Sequence, residues 1–135
     1  VVADNLTINP GADEGVRYPL GIGAAGVAIL ATMSPSQARA IALSNSDRYA
    51  EYHTSTSAIL QAVKNARDVG YGINQGVIQN TFGIGTVVRN SRGEVSAAVS
   101  AVYHVESISG PRLRKLAGIL IEEVRSFEPL EFPSA

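Results

Sequence analysis

The pattern of hydrophobic and polar positions in the first third of the chain predicts one short strand followed by two helices. Residues 6–8 are typical of a strand, and the turn cluster Asn9-Pro10-Gly11 ends it. Residues 23–32 are apolar or small on all sides, which is typical of a buried helix. Ser34-Pro35 then begins a second helix, through about Leu43, as N-cap and first-turn proline.

Two later helices have a clear apolar face. One is predicted over residues 55–69, where Gly70 follows in the position of a C-terminal glycine cap. The other is predicted over residues 109–127. Their apolar faces are, in order, Ile59, Ala62, Val63, Ala66 and Val69, and Leu113, Leu116, Ala117, Leu120, Ile121, Val124 and Phe127. The polar residues 45–53 receive no assignment.

Two strands between these helices form a predicted hairpin. They span residues 83–89 and 94–103, and the four-residue loop Asn90-Ser91-Arg92-Gly93 joins them. A short loop that ends in glycine is typical of an antiparallel pair. The order of elements therefore predicts one α/β domain, residues 1–135, whose sheet is at least partly antiparallel.

Both hairpin strands carry one face of small residues, because side chains alternate across a strand. That face consists of Gly83, Gly85 and Val87 on the first strand and Ser96, Ala98, Ser100 and Val102 on the second. Protein interiors do not tolerate large voids. Either a helix lies directly on this face or a small ligand fills the space.

The glycines Gly21, Gly23 and Gly26 have the spacing G-x-G-x-x-G, which also occurs in dinucleotide-binding folds. Those folds need a parallel strand after the helix and an acidic residue about twenty positions on. Here the next element is another helix, and the first acidic residue is Asp47. Two roles remain open: close packing of the helix, or an uncluttered helix N-terminus that binds a carboxylate.

Composition excludes several classes of function. The chain has 135 residues, with 11 basic and 12 acidic side chains, and no run of lysine or arginine that would bind nucleic acid. The absence of cysteine excludes disulfides and thiolate metal sites and fits a reducing compartment, so we expect a cytoplasmic location. The fourteen-residue apolar run from Leu20 to Met33 is too short to span a bilayer.

The sequence predicts no catalytic residue, metal or cofactor. His53 and His104 are the only histidines, lie far apart in sequence, and are expected at the surface or an edge. Ser100 has no histidine at a spacing typical of a serine nucleophile. We therefore expect a protein that is not an enzyme.

Four segments in collinear order resemble the effector-binding domain of IclR-type transcriptional regulators. That family carries a pattern similar to R-x-P-L-H-x-x-A-x-G-K-A-x-L-A-x-L-P, matched by RYPLGIGAAGVAILATMSP at residues 17–35. A helix ending in G-Y-x-x-D is matched by ARDVGYGIN at residues 66–74. IGTVVRNSRGEVSAAVS at residues 84–100 and SGPRL at residues 109–113 match the last two family segments.

The resemblance implies a GAF-like α+β fold, an antiparallel sheet flanked by helices, with a pocket for a small-molecule effector over the sheet. Effectors of the family are typically organic acids. The positions that match its pocket are Tyr18, Gly23, Ala24, Ala25, Asn74, Gly83, Ser100 and Val102. Asn74 has the alternative role of a turn residue in Asn74-Gln75-Gly76.

Several positions depart from the family pattern, and each change removes charge or polarity. The histidine after Pro-Leu is Gly21, the lysine is Val27, the usual aspartate is Asn74, and a common serine is Val102; the acidic pair is missing at residues 76–77. We therefore hypothesise an effector less hydrophilic than a two- or three-carbon acid, such as an aromatic or aliphatic acid.

The resemblance also implies a DNA-binding domain outside these residues and association into oligomers. Relatives bind DNA through an N-terminal winged helix-turn-helix domain, and the start at Val1 leads us to expect an N-terminally truncated effector domain. A homodimer or homotetramer is expected, and a membrane partner is not. The alternatives are a stand-alone GAF-like domain that binds or transforms a small molecule, and a purely dimerising module.

Overall fold

The computed structural model describes residues 2–3, 6–7, 15, 17–75, 80–105 and 107–132. Its strands are β1 (Val2–Ala3), β2 (Leu6–Thr7), β3 (Gly72–Gln75), β4 (Phe82–Arg89) and β5 (Val95–Tyr103). Its helices are α1 (Ala24–Ala31), α2 (Pro35–Ser44), α3 (Ser46–Tyr49), α4 (Thr56–Val69) and α5 (Gly110–Phe127). A 3₁₀ turn, Ala50–Tyr52, follows α3.

The described residues form an α+β fold in three layers. The central sheet has the order β3-β4-β5, and both of its strand pairs are antiparallel. Helix α1 lies on one face of the sheet and packs against α4, while α5 contacts β4. The predicted antiparallel sheet flanked by helices is therefore confirmed, including the hairpin that joins β4 and β5.

The sequence analysis missed strand β3. It pairs with β4 in the register Gly72↔Gly85 to Gln75↔Phe82. Asn74 therefore lies within a strand, opposite Gly83, and the interpretation of Asn74 as a turn residue is wrong. At the N-terminus, β1 pairs with β2, which covers the first two residues of the predicted strand; Ile8 lies outside the described residues.

Local side-chain chemistry sets the helix boundaries. Ser34 and Gln37 form a reciprocal capping box at the start of α2, with the Gln37 N–H donating to Ser34 Oγ at 3.2 Å. Ser55 Oγ accepts from the Ala58 N–H at 3.2 Å and begins α4. Gly70, at a φ of 90°, ends that helix. The predicted boundaries of α2 and α4 are thus confirmed to within about one residue.

The buried apolar residues form two clusters, one on each side of the sheet. The first joins α1, α2 and α4 around Leu30 and Val63, both fully buried. The second joins Phe82 and Ile84 of β4 to Ala117 of α5. Most of the predicted apolar faces are buried or half-buried; the exceptions are the terminal positions Val69 and Phe127, which are exposed.

The polar segment without a sequence assignment contains the largest fully buried side chain of the described residues. Tyr49, at the end of α3, is 0% exposed, and its hydroxyl donates to the Leu20 carbonyl at 2.6 Å. This bond ties α3 to the loop that leads into α1. Burial raises the pKa of the Tyr49 hydroxyl, because the charged phenolate is poorly solvated there.

The chain after α5 returns to the hairpin and holds it. The Leu130 N–H donates to the Arg89 carbonyl at 3.0 Å, and Ser96 Oγ donates to the Leu130 carbonyl at 2.7 Å. The Ser91 N–H donates to Glu131 at 2.6 Å, and hydrogen bonding to Ser91 holds the pKa of the Glu131 carboxyl below its ordinary value. The β4–β5 turn is therefore anchored at both sides.

Helix α1 lies on the sheet with its backbone in contact with strand glycines. A Cβ atom at Gly85 would lie only 2.5 Å from the Ala25 nitrogen, and one at Gly72 would lie 3.0 Å from the Ala28 nitrogen. At Gly83 the corresponding distance, to the Ala24 Cβ, is 3.3 Å. The absence of side chains on β3 and β4 thus lets the helix approach the strands more closely than any other residue type allows.

Replacement of Gly85 by Ala tests this contact. The new methyl group would overlap backbone atoms that cannot rotate away, so we expect the unfolding free energy to fall by about 2–3 kcal/mol. Gly118→Ala is the matched control, because nothing lies within 4 Å of its Cβ position in α5. Alanine favours helices, so the control should gain up to about 1 kcal/mol. Urea denaturation measures both, and equal stability of the two variants would contradict the packing.

Replacement of Tyr49 by Phe tests the buried hydroxyl. The Leu20 carbonyl loses its donor, so we expect a loss of about 1–2 kcal/mol near pH 7. Because the folded-state pKa is raised, the contribution of Tyr49 is fully present below its unfolded pKa of about 10 and is lost as the pH rises through the folded value. The stability difference between the two proteins should therefore shrink above about pH 10. A constant difference in urea denaturation from pH 7 to 11 would refute this role.

Candidate ligand-binding site

The glycine motif forms the tight turn that leads into α1. Gly21 has a φ of 110° and Gly23 a φ of 86°, conformations that favour glycine. Gly26 lies in α1, where a Cβ atom would be 2.9 Å from the Gly21 nitrogen. The element that follows is α2, and the sheet is antiparallel, so the structure agrees with the rejection of a dinucleotide fold.

The start of α1 carries no side-chain cap. Its N-cap is Gly23, which has no side chain to accept from the first-turn N–H groups. The first intrahelical bond runs from the Val27 N–H to the Gly23 carbonyl at 3.1 Å. The N–H groups of Ala24, Ala25 and Gly26 therefore have no intrahelical acceptor, and the helix end has partial positive charge.

Most of the residues predicted for the pocket meet at this helix start. Gly83 of β4 lies between Asn74 of β3 and Val102 of β5 in one cross-strand row. The Cβ position of Gly83 is 3.3 Å from the Ala24 Cβ and 3.6 Å from the Asn74 Cβ. In the next row, Ser100 pairs with Gly85. Six of the eight predicted positions, Ala24, Ala25, Asn74, Gly83, Ser100 and Val102, thus lie around one end of the sheet.

Helix α1 covers the glycine part of the small-residue face, on β4. The β5 part of the face is partly exposed. The backbone of Ala24 and Ala25 lies directly on Gly85, so no guest fits between the helix and this strand. Ser100 is exposed and Val102 is 38% exposed. Of the two alternatives that the sequence left open, the helix therefore occupies the face over β3 and β4. Any ligand at this site must lie beside the helix start, over β5.

Tyr18 and Gly23 lie on the segment that leads into α1. The Tyr18 ring packs against Tyr52, with ring centroids 5.7 Å apart and a tilt of 60°. Tyr49 fixes the same segment through its bond to Leu20, and sequence reasoning missed it because the surrounding residues are polar. The one signal that could have identified it is its aromatic ring in an otherwise polar stretch.

Two cavities of the described residues lie away from the predicted site. One, of about 380 Å³, lies between α4 and β3; the other, of about 230 Å³, lies at the C-terminal end of α1. None of the eight predicted residues lines either of them. Ser100 and Val102 of β5 form a partly exposed shelf beside the helix start.

The described residues contain no group of three or more His, Cys, Asp or Glu side chains that could hold a metal ion. His53 and His104 are both exposed, and His53 ends the 3₁₀ turn in the left-handed conformation. None of the described helices combines the length and apolar composition needed to cross a membrane.

The fold is similar to solved structures of bacterial transcriptional regulators. The repressor BlcR of Agobacterium tumefaciens has a TM-score of 0.67 and 20% identity; the match covers 83% of this chain and 47% of that one. A regulator from Alicyclobacillus acidocaldarius has a TM-score of 0.62 and 19% identity, with 85% and 50% covered. One from Rhodococcus sp. RHA1 has the same TM-score and identity, with 90% and 48% covered. The chain thus spans about half the length of these relatives.

A search of curated proteins found no match. The family model described as bacterial transcriptional regulator IclR, C-terminal, matches residues 2–128, nearly the whole chain. This match includes α1 with its glycine turn, the β3–β5 sheet and α5. The chain therefore belongs to the IclR C-terminal family of bacterial transcriptional regulators.

Proposed function

We propose that this chain is the effector-sensing domain of a transcriptional regulator and that it binds a small organic acid at the start of α1. The observation that carries the proposal is the position of the uncapped helix end, directly over the Asn74–Gly83–Val102 row. Gly83 and Ala24 are buried against each other, while Val102 is 38% exposed, so a ligand would reach the helix end from the β5 shelf. Membership of the family supports a regulatory role for this site.

Backbone groups would hold the acid group of the ligand. The free N–H groups of Ala24, Ala25 and Gly26 can donate to a carboxylate, and the helix dipole stabilises its negative charge. Asn74 is half-buried beside this end and can donate from its amide. Unlike the aspartate of the resembling family pattern, asparagine adds no negative charge beside the acid group.

The rest of the ligand would lie on apolar and small side chains. Val102 is a partly exposed apolar residue, and Ser100 is the nearest hydroxyl of the shelf in the neighbouring row. None of the eight proposed site residues is charged. Such a surface favours an acid with an aromatic or aliphatic part over a two- or three-carbon keto acid, whose polar groups would lose hydration without new partners.

Effector binding would act through the association of copies of the chain. Ile119 and Phe127 of α5 are 50% and 62% exposed, which supports a role of this helix in a homodimer or homotetramer. An effector that prefers one arrangement of the copies shifts the equilibrium by that difference in binding free energy. Attached DNA-binding domains, in a longer protein, would then be repositioned.

The ligand class can be tested by thermal shift with a panel of carboxylic acids. We expect aromatic or aliphatic acids to stabilise the domain, by about 2.7 kcal/mol at a hundredfold excess over the dissociation constant. The corresponding primary amides, which lack the negative charge, should bind at least about tenfold more weakly, because charge-assisted hydrogen bonds are the stronger ones. A panel in which only two- and three-carbon keto acids stabilise the domain would refute the apolar character of the site.

The position of the site can be tested by Ala25→Leu. The larger side chain at the half-buried start of α1 should block the shelf and abolish stabilisation by the acid, while the domain stays folded. Ala40→Leu, on the exposed face of α2, is the matched control and should respond like the original protein. A full response in the Ala25 variant would place the ligand elsewhere.

A further inference from the structure

The opposite end of α1 borders the cavity of about 230 Å³, which is separate from the proposed effector site. Ala31 and Thr32 at the end of α1, Arg67 and Gly70 at the end of α4, and Arg89 of β4 lie in its wall. At roughly 30 Å³ per water molecule, the volume corresponds to about eight waters. It is smaller than the roughly 300 Å³ at which pockets for drug-sized ligands begin, so a guest has only a few non-hydrogen atoms.

Small side chains create this space. The cavity is lined by Ala28, Ala31, Ala66 and Gly70, from the two helices that meet there. Ala28 and Ala66 are buried, while Ala31 is only half-buried, so the cavity has an open side. A larger residue at the half-buried position would fill the space without altering the charges around it.

Among the described residues, Arg67 and Arg89 are the only ones with charged side chains that line the cavity. The Arg67 guanidinium donates to the Met33 carbonyl at 3.2 Å, and the Arg89 guanidinium donates to the Gly93 carbonyl at 2.7 Å. Each guanidinium has five N–H donors, so most of them are not used by these bonds. Within the described part of the chain, the ion pair is between Arg92 and Glu94, and neither cavity guanidinium forms one. The carboxylate of Glu128 accepts from the Arg89 backbone N–H at 2.9 Å, but Glu128 does not line the cavity.

The groups that line the cavity keep a positive charge after the helix ends are included. Residues at the C-termini of α1 and α4 line the cavity, and a helix end contributes at most about −0.5 charge. Two arginines contribute +2, because a guanidinium is always protonated in proteins. The sum is about +1. A bound anion would therefore offset the positive charge of the cavity wall, whereas a cation would increase it.

We propose that this cavity is a second binding site and that it takes a small oxyanion, a carboxylate or a phosphate, between Arg67 and Arg89. The planar guanidinium matches the two oxygens of either group, which gives paired, charge-assisted hydrogen bonds. The site is independent of the proposed effector site, because it lies at the other end of α1 and shares none of its residues. Its occupation would tie the ends of α1 and α4 to β4.

Isothermal titration with inorganic phosphate and with acetate tests the site, at an ionic strength held constant with sodium chloride to cancel general screening. We expect at least one of the two anions to bind, and the tighter one identifies the ligand class. Arg67→Gln and Arg89→Gln should each weaken binding about tenfold or more, since each removes charge-assisted bonds. Arg48→Gln, an exposed arginine of α3 outside the cavity, is the matched control and should leave the affinity unchanged.

A cavity-filling variant keeps the test valid if loss of an arginine disturbs the fold. Ala31→Leu retains both charges and should abolish anion binding by occupying the space. Ala25→Leu, at the other end of the helix, should leave it intact, which separates this site from the proposed effector site. The proposal is overturned if neither anion binds, if both arginine variants bind as the original does, or if Ala25→Leu alone abolishes binding.

Discussion

The close contact between the backbone of α1 and the glycines of the sheet determines the position of everything else in the domain. Gly72 and Gly85 leave no side chain between strand and helix, so the peptide groups of Ala24 and Ala25 lie on the strands themselves. A helix held at this distance cannot shift sideways without backbone overlap. Its two ends are therefore fixed over opposite ends of β4, one beside Gly83 and the other beside Arg89.

The two ends of α1 differ in the chemistry that they offer a ligand. The start presents backbone N–H groups above neutral residues, so the charge of a bound acid would be balanced by dipoles alone. The other end presents two guanidinium groups, whose full charges outweigh the helix dipoles. The site proposed at the start of the helix would thus be weakly polar, and the one proposed at its end would be basic. Ligands of different polarity would distinguish them.

The two faces of α5 have different environments. The buried side of α5 completes the core with Ile84 and Ala117, while Ile119 and Phe127 stay exposed. The chain spans 47% of the Agobacterium repressor and 50% of the Alicyclobacillus regulator. Under the proposed function, copies of the chain would associate through these exposed residues, on the side of the sheet opposite to α1.

The sequence by itself determined the elements that depend on neighbouring residues. Ser34, Ser55 and Gly70 act on peptide groups within a few residues, so the limits of α2 and α4 follow from local chemistry alone. Alternation along β4 and β5 likewise predicted which side chains share a face. The observed register confirms it for Gly83, Gly85 and Val87, which lie opposite Val102, Ser100 and Ala98; a register shift at Val88/Arg89 leaves Ser96 without a partner in the register. The family resemblance added the order of the segments and the expected location of the site.

Tertiary structure decided the features that depend on distant segments. Strand β3 has only four residues, with Gly72 and Asn74 among them, and it exists because β4 supplies its hydrogen-bond partners. Tyr49 is buried because the segment around Leu20 folds back over it. Whether the small-residue face held a guest or a helix depended on the distance between two layers. No local pattern encodes that distance, because it is set by the closest approach of α1 to glycines about fifty to sixty residues further along the chain.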